Sequence, residues 1–209
     1  MRRVPILPTI VAGLAIAAMI ALGLWQLLIR LPEKEAQLAQ LAANPSRPPI
    51  AFPRAPDDSL LFRRSFAECR QVETITRAGA GGAGYRLIAV CRTSAGAPPV
   101  QVQLGTTPDP AKQAAWTGGL VSGWISHAPD ATPLGARFFT RIPRQMLLVA
   151  DRSPEGLAPN RRPDIGLVPN NHLAYAGQWF FFAAVAAVIY MLALRRRVRP
   201  QGSGRAARG

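Results

Sequence analysis

Charge is missing from two long stretches of this 209-residue chain, and the rest of the reading follows from where they lie. No charged side chain occurs between Arg3 and Arg30, and none between Leu173 and Leu194. Histidine is scarce, with only His127 and His172, and cysteine is limited to Cys69 and Cys91. So small a supply of soft ligands, with no His, Met or second Cys beside either cysteine, argues against a closed structural metal site. No nucleophile-elbow motif is present, and no internal repeat.

Acidic residues are few as well. All eleven fall between Glu33 and Asp164, where sixteen Lys and Arg leave that segment at only +5. The remaining +9 of the formal +14 comes from three arginines around the first uncharged run and six after the second. Basicity gathered at the ends of apolar runs is a topological signal and not the electrostatic footprint of a nucleic-acid binder, so no nucleic-acid partner is expected.

The first run, Val4 to Ile29, holds 26 residues. At about 1.5 Å per residue it makes a helix of roughly 39 Å, against a hydrocarbon core near 30 Å. The run therefore spans a bilayer with tilt or with an interfacial end. A cleaved leader would also begin with Arg2 and Arg3 and offer Ala21 and Gly23 before a cut, but the apolar run continues past that point through "LWQLLI", which favours retention. The second run ends abruptly at "RRRVRP". Two arginines before the first span and six after the second predict both termini on the cytoplasmic side and the residues between them outside. Arg outnumbers Lys 23 to 2, and no Arg- and Ser-rich presequence precedes the first span. Both features favour a bacterial inner membrane with a periplasmic middle region.

The expected fold class is therefore a membrane protein of α+β type: two transmembrane helices flanking a mainly antiparallel, small barrel-like β domain. The expected divisions are 1–31 for the first span with its short cytoplasmic lead, 32–47 for a helical extension and linker, 48–168 for the β domain, 169–194 for the second span and 195–209 for a basic tail. "EKEAQLAQLAAN" consists of helix formers up to an Asn-Pro stop. Six strand-like runs follow: "LLFRRSFAECRQVETITR", "YRLIAVCRT", "PVQVQLG", "AAWTGGLVSGWISH", "ARFFTRIP" and "QMLLVAD". Cys69 and Cys91 flank "AGAGG", so a hairpin turning near Ala80 would set them opposite each other. A cross-strand disulfide, two buried thiols and a metal-ligand pair all remain open. "GAGGAG" has the glycine spacing of a dinucleotide fingerprint, but the strand-like "YRLIAV" follows it where a helix is required, so it reads as a hairpin loop. A catalytic reading would have to use His127 with Ser126 or Asp130, an ordinary grouping beside a turn.

The remaining polar residues gather where the spans meet the outer interface. With opposite senses of crossing, Trp25, Gln26 and Arg30 end at the depth where Asn170, Asn171, His172, Tyr175 and Trp179 begin. His172, Tyr175 and Trp179 stand at i, i+3 and i+7, and Gln26 and Arg30 one turn apart. Gly13, Ala17 and Ala21 form a small-residue stripe for helix pairing, with Ala183 and Ala187 as a shorter counterpart. Two readings are open on the residues alone. In one, Asn caps a helix, Trp and Tyr form interfacial belts and Arg30 snorkels. In the other, the helix dipole keeps the first-turn His172 neutral and able to bind haem iron, with Arg30, Arg161 and Arg162 for the propionates.

"PNNHLAYAGQWFFFA" resembles the second-span signature of the Surfeit locus protein family, the cytochrome c oxidase assembly factors, through Asn170, Asn171, His172, Leu173, Tyr175, Ala176, Trp179 and Phe180. "GLWQLLIRLPEK" is similar to the family's other marker through Gly23, Trp25 and Gln26, although Arg30 and Lys34 fall one residue later than that pattern. The resemblance implies a non-enzymatic membrane chaperone that acts when haem a is placed in subunit I of cytochrome c oxidase, with haem a synthase as a further partner. It also implies His172 as ligand of a transiently held haem a, within a cofactor site of Trp25, Gln26, Arg30, Asn170, Asn171, Tyr175 and Trp179. The rival expectation is a haem-independent scaffold for newly made oxidase subunits.

Overall fold

The computed structural model describes residues 5–130 and 143–198. It divides into two compact units. One joins the residues up to Ala36 with those from Pro169 onward, and the other is Gln37–Val168.

The first unit is helical. Helix α1 (Ile6–Trp25) runs through a π turn (Gln26–Arg30) into α2 (Leu31–Ala43), and α3 spans His172–Val198. Two segments, Ile6–Ser46 and Ile165–Arg197, hold helices long and apolar enough to cross a membrane. The helices α1 and α3 pack antiparallel, because Gln26 meets His172, Gly23 meets Phe180 and Thr9 bonds Tyr190. On α1 the covered positions are Thr9, Ala12, Ile16, Met19, Gly23 and Gln26, alternating steps of three and four. That period of 3.5 keeps one seam facing the partner helix. On α3 the seam runs through His172, Ala176, Ala183 and Tyr190. Leu14, Ile10 and Val11 on α1 and Phe181 and Ile189 on α3 stay exposed, as a lipid-facing surface requires.

The expected stripe of Gly13, Ala17 and Ala21 is not the seam. All three are exposed, and nothing lies within 4 Å of a Cβ built on Gly13. A strict four-residue step drifts around an α-helix, whereas the seam follows the alternating spacing. The small residues that do bring the helices together are Gly23, Ala176 at 1% exposure and Ala183 at 4%.

The second unit is a seven-stranded mixed sheet in the order β1-β2-β6-β7-β5-β4-β3. The strands are β1 (Ile50–Ala51), β2 (Arg64–Cys69), β3 (Gln71–Gly79), β4 (Tyr85–Arg92), β5 (Val100–Thr107), β6 (Gly119–His127) and β7 (Met146–Ala150). Pairing is antiparallel except for β1 with β2 and β5 with β7. All five residues of β7 are buried, as fits a central strand covered on both faces. Leu104, Ile125, Leu147, Leu148 and Val102 are the largest fully enclosed apolar side chains. Of the expected strand "ARFFTRIP", residues 136–142 lie outside the described residues.

The barrel-like expectation is corrected: the sheet does not close. The expected first strand is in fact two, β2 and β3, separated only by Arg70 yet far apart in the sheet order. A strand cannot ladder with its own continuation, so the chain bends at Arg70, leaves β6 and joins β4. A disulfide between Cys69 and Cys91 crosses this gap, with Cα atoms 5.2 Å apart. The pair is not the directly opposed hairpin pair that the spacing suggested, since the ladder partner of Cys91 is Val72. The hairpin itself forms, with Gly81 and Gly84 at φ of +58° and +81°. A Cβ on Gly84 would also stand 2.6 Å from the Thr107 carbonyl oxygen. "GAGGAG" is thus the β3–β4 turn.

Asn44, at the end of α2, is fully buried. Its Nδ2 donates to the carbonyls of Ser59 and Leu61 at 2.7 and 2.8 Å. Beside it Leu41 packs with Leu61, Phe62, Ile125 and Met146. The Asn-Pro stop therefore does more than end a helix: it fastens the α2 terminus to the loop before β2.

Candidate functional site at the helix mouth

The site begins with the way α3 starts. Asn171 precedes the helix, and its carbonyl accepts the first i→i+4 bond, from the Tyr175 N–H at 3.0 Å. His172 is thereby held in the first turn. On the facing helix, Leu31 N–H bonds the Gln26 carbonyl, five residues back. Pro32 supplies the cause, because it has no N–H for the Leu28 carbonyl and its ring would clash with that group in an α turn. The wider turn takes up one more residue than an α turn.

The central contact is between His172 Nδ1 and Gln26 Oε1, at 2.7 Å. A side-chain amide oxygen only accepts, so Nδ1 carries the proton and the neutral ring keeps its lone pair on Nε2. Among the described residues nothing bonds Nε2. One turn before Gln26, Gly23 lets Phe180 approach until a Cβ at 23 would be 2.6 Å from the ring. Asn170 adds a buried side-chain oxygen, Oδ1, with no hydrogen-bond partner, an acceptor left for a donor that the described residues do not provide.

The other expected residues are not gathered on this seam. Trp25 is 44% and Tyr175 49% exposed, flanking the helix pair. Trp179 packs edge-on against Phe182 at 6.4 Å. Arg30 pairs with Glu33 at 2.8 Å and lies 5.6 Å from the Trp25 ring centroid. Arg161 and Arg162 belong to the β unit, where Arg162 stacks over Trp124 at 5.4 Å. The close approach at Gly23 and the partnership of Glu33 were missed by sequence reasoning. A heptad count anchored on Gln26 would have found Gly23 on the seam, and the i,i+3 spacing of Arg30 and Glu33 would have found the ion pair.

Among the described residues the catalytic reading of the β unit does not gain a nucleophile. His127 Nε2 bonds Asp58 Oδ1 at 2.8 Å, and Ser126, its neighbour along β6, projects to the other side of the strand. No group of three or more His, Cys, Asp or Glu gathers among the described residues, whereas a haem needs only one axial imidazole.

A family model described as the SURF1 family matches residues 13–184, from within α1 to within α3. No curated protein matches the chain.

Proposed function

The chain belongs to the SURF1 family, and on that premise we propose that it holds haem a through His172 at the outer membrane face while the group passes to subunit I of cytochrome c oxidase. The family is associated with cytochrome c oxidase assembly, as an assembly factor and not an enzyme. Two long apolar helices fit a membrane protein. In the proposed arrangement that membrane is the bacterial inner membrane, both termini are cytoplasmic and the β unit is periplasmic. The basic residues at the terminal ends of the spans, which mark the cytoplasmic side, and the disulfide, which persists in an oxidising compartment, support this placement.

One observation carries the haem reading: Gln26 Oε1 accepts a hydrogen bond from His172 Nδ1–H at 2.7 Å, so the imidazole offers Nε2. Haem, when bound, supplies an iron that accepts a neutral imidazole nitrogen and two propionates that seek cations. The residues present fit those needs. Nε2 is the donor, and the guanidinium of Arg30 stands at the same end of the helix pair. Its bond to Glu33 is an exposed i,i+3 pair of little net strength, so another carboxylate can displace Glu33. A site with a single axial histidine on an exposed helix mouth binds and also releases, as a transfer protein must.

The test is the absorbance spectrum of the full chain purified from cells that make haem a. A haem spectrum that disappears in His172→Ala is the expected result. No haem with His172 intact, or the same spectrum after the substitution, overturns it. The scaffold reading has an observation of its own. Phe66 and Leu120 are 43% and 73% exposed on the β unit, beside a groove of ≈ 500 Å³ walled by Pro53, Pro56, Pro98 and Pro99. If Leu120→Asp lowers oxidase yield while the haem spectrum is unchanged, the β unit holds oxidase subunits; haem a synthase is the other partner to assay.

A further inference from the structure

We infer that Gln26 is a positioning residue that sets the tautomer of His172, and that the π turn opening at Gln26 is what holds its amide at the imidazole. The inference rests on the haem reading above and deepens it, from which residue binds to which residue decides the binding nitrogen.

Three observations converge on Gln26. Its side-chain oxygen accepts from His172 Nδ1 at 2.7 Å. Its backbone N–H is shared between the carbonyls of Leu22 and Gly23, and its own carbonyl receives Leu31 N–H to close the π turn. The backbone of residue 26 is thus tied on both sides before its amide does anything, which is how a supporting residue keeps a ligand in a productive orientation. Gly23, one turn away, brings the two helices close enough for a bond of this length.

The chemistry explains why an amide serves here. A free imidazole distributes its proton between two nitrogens, and only the deprotonated one binds a metal. An acceptor fixed at Nδ1 removes the unproductive form and leaves the lone pair on Nε2. An uncharged acceptor does so without adding a negative charge at the membrane face, so the ligand stays releasable. A carboxylate in its place would push the ring towards imidazolate and tighten the hold on ferric iron.

The experiment uses the full chain in detergent, as wild type, His172→Ala, Gln26→Leu and Gln26→Glu. Two readouts are taken: ¹⁵N shifts of histidine-labelled, haem-free protein, and titration with haem a followed by a potentiometric titration. The ring signal that His172→Ala deletes is expected to report Nδ1–H in wild type and Gln26→Glu, with Nε2–H populated in Gln26→Leu. Haem affinity falls about tenfold or more in Gln26→Leu, the usual cost of losing such a partner. Gln26→Glu restores affinity and lowers the reduction potential, which a merely structural role would leave unmoved. A wild-type tautomer in Gln26→Leu overturns the inference, as does a wild-type affinity and potential in both Gln26 variants. If His172→Ala binds haem as wild type does, the haem reading itself falls. If only the Gln26 variants are silent, that reading stands and this inference does not.

Discussion

Gly23 and Phe180 touch so closely that the Cβ of any other residue at 23 would stand 2.6 Å from ring atom Cε1. Gly23 is the one buried residue of α1, and Gln26 follows it by one turn on the same seam. Gly23→Leu is therefore expected to force the helices apart where His172 meets Gln26, with the cost of about 1–3 kcal/mol typical of overpacking. Thermal melting of the detergent-solubilised chain should show the loss. Adding Phe180→Ala should return most of it, because the obstacle is a side chain. No rescue would mean that the ring is not what Gly23 accommodates.

Gly123 meets a harder obstacle. It lies in β6 between Ser65 of β2 and Ala150 of β7, and a Cβ there would be 2.1 Å from the Val149 carbonyl oxygen. Backbone in a central strand cannot swing aside. Gly123→Ala is expected to destabilise the β unit by about 4 kcal/mol or more, the range in which strained backbone leads to unfolding. Limited proteolysis should then degrade Gln37–Val168 while wild type resists. Equal resistance would show that β6 and β7 separate freely at this point.

Asn44 offers a test by charge. Its amide donates to the carbonyls of Ser59 and Leu61, so Asn44→Ala should cost about 2 kcal/mol, roughly 1 per lost bond. Asn44→Asp should cost more at neutral pH, since a carboxylate would face two carbonyl oxygens with no proton to give. Burial raises the pKa of such a carboxyl, so the excess over Asn44→Ala should shrink as pH falls and the acid becomes a donor. Melting temperatures of the two variants between neutral pH and pH 5 measure this difference. A gap that does not narrow would place residue 44 in contact with water.

The two spans were legible in the sequence because lipid imposes a requirement with no local alternative, a long uncharged run with basic ends. The end of α2 at Ala43 was legible too, from the Asn-Pro pair. The sheet was only partly so. Its strands show in the β-branched and aromatic runs, but the bend at Arg70 has no Gly or Pro to mark it, so two strands read as one and the open sheet read as a barrel. At the site, His172 and Gln26 each stood out by composition, whereas the bond between them depends on a π turn and on Gly23, and both are products of packing. The stripe of Gly13, Ala17 and Ala21 shows the opposite error: a pairing pattern by spacing that the 3.5-residue seam passes by.

The disulfide between Cys69 and Cys91 tests both the fold and the compartment. It closes a loop of 22 residues, for which the loss of chain entropy in the unfolded state amounts to about 3 kcal/mol. It also spans the only place where β2 and β3, continuous in the chain, part company in the sheet. Replacing both cysteines by serine should therefore loosen the β3–β4 hairpin first, measured as faster amide exchange in Gln71–Arg92 than in β6 and β7, together with a lower melting temperature. The second measurement needs no variant. Alkylation of intact cells before lysis should leave both sulfurs unlabelled unless a reductant is added. Two labelled thiols would mean that the β unit resides in a reducing compartment. The proposed topology would then be inverted, and His172 with Gln26 would lie at the cytoplasmic face, away from where the proposed transfer of haem a takes place.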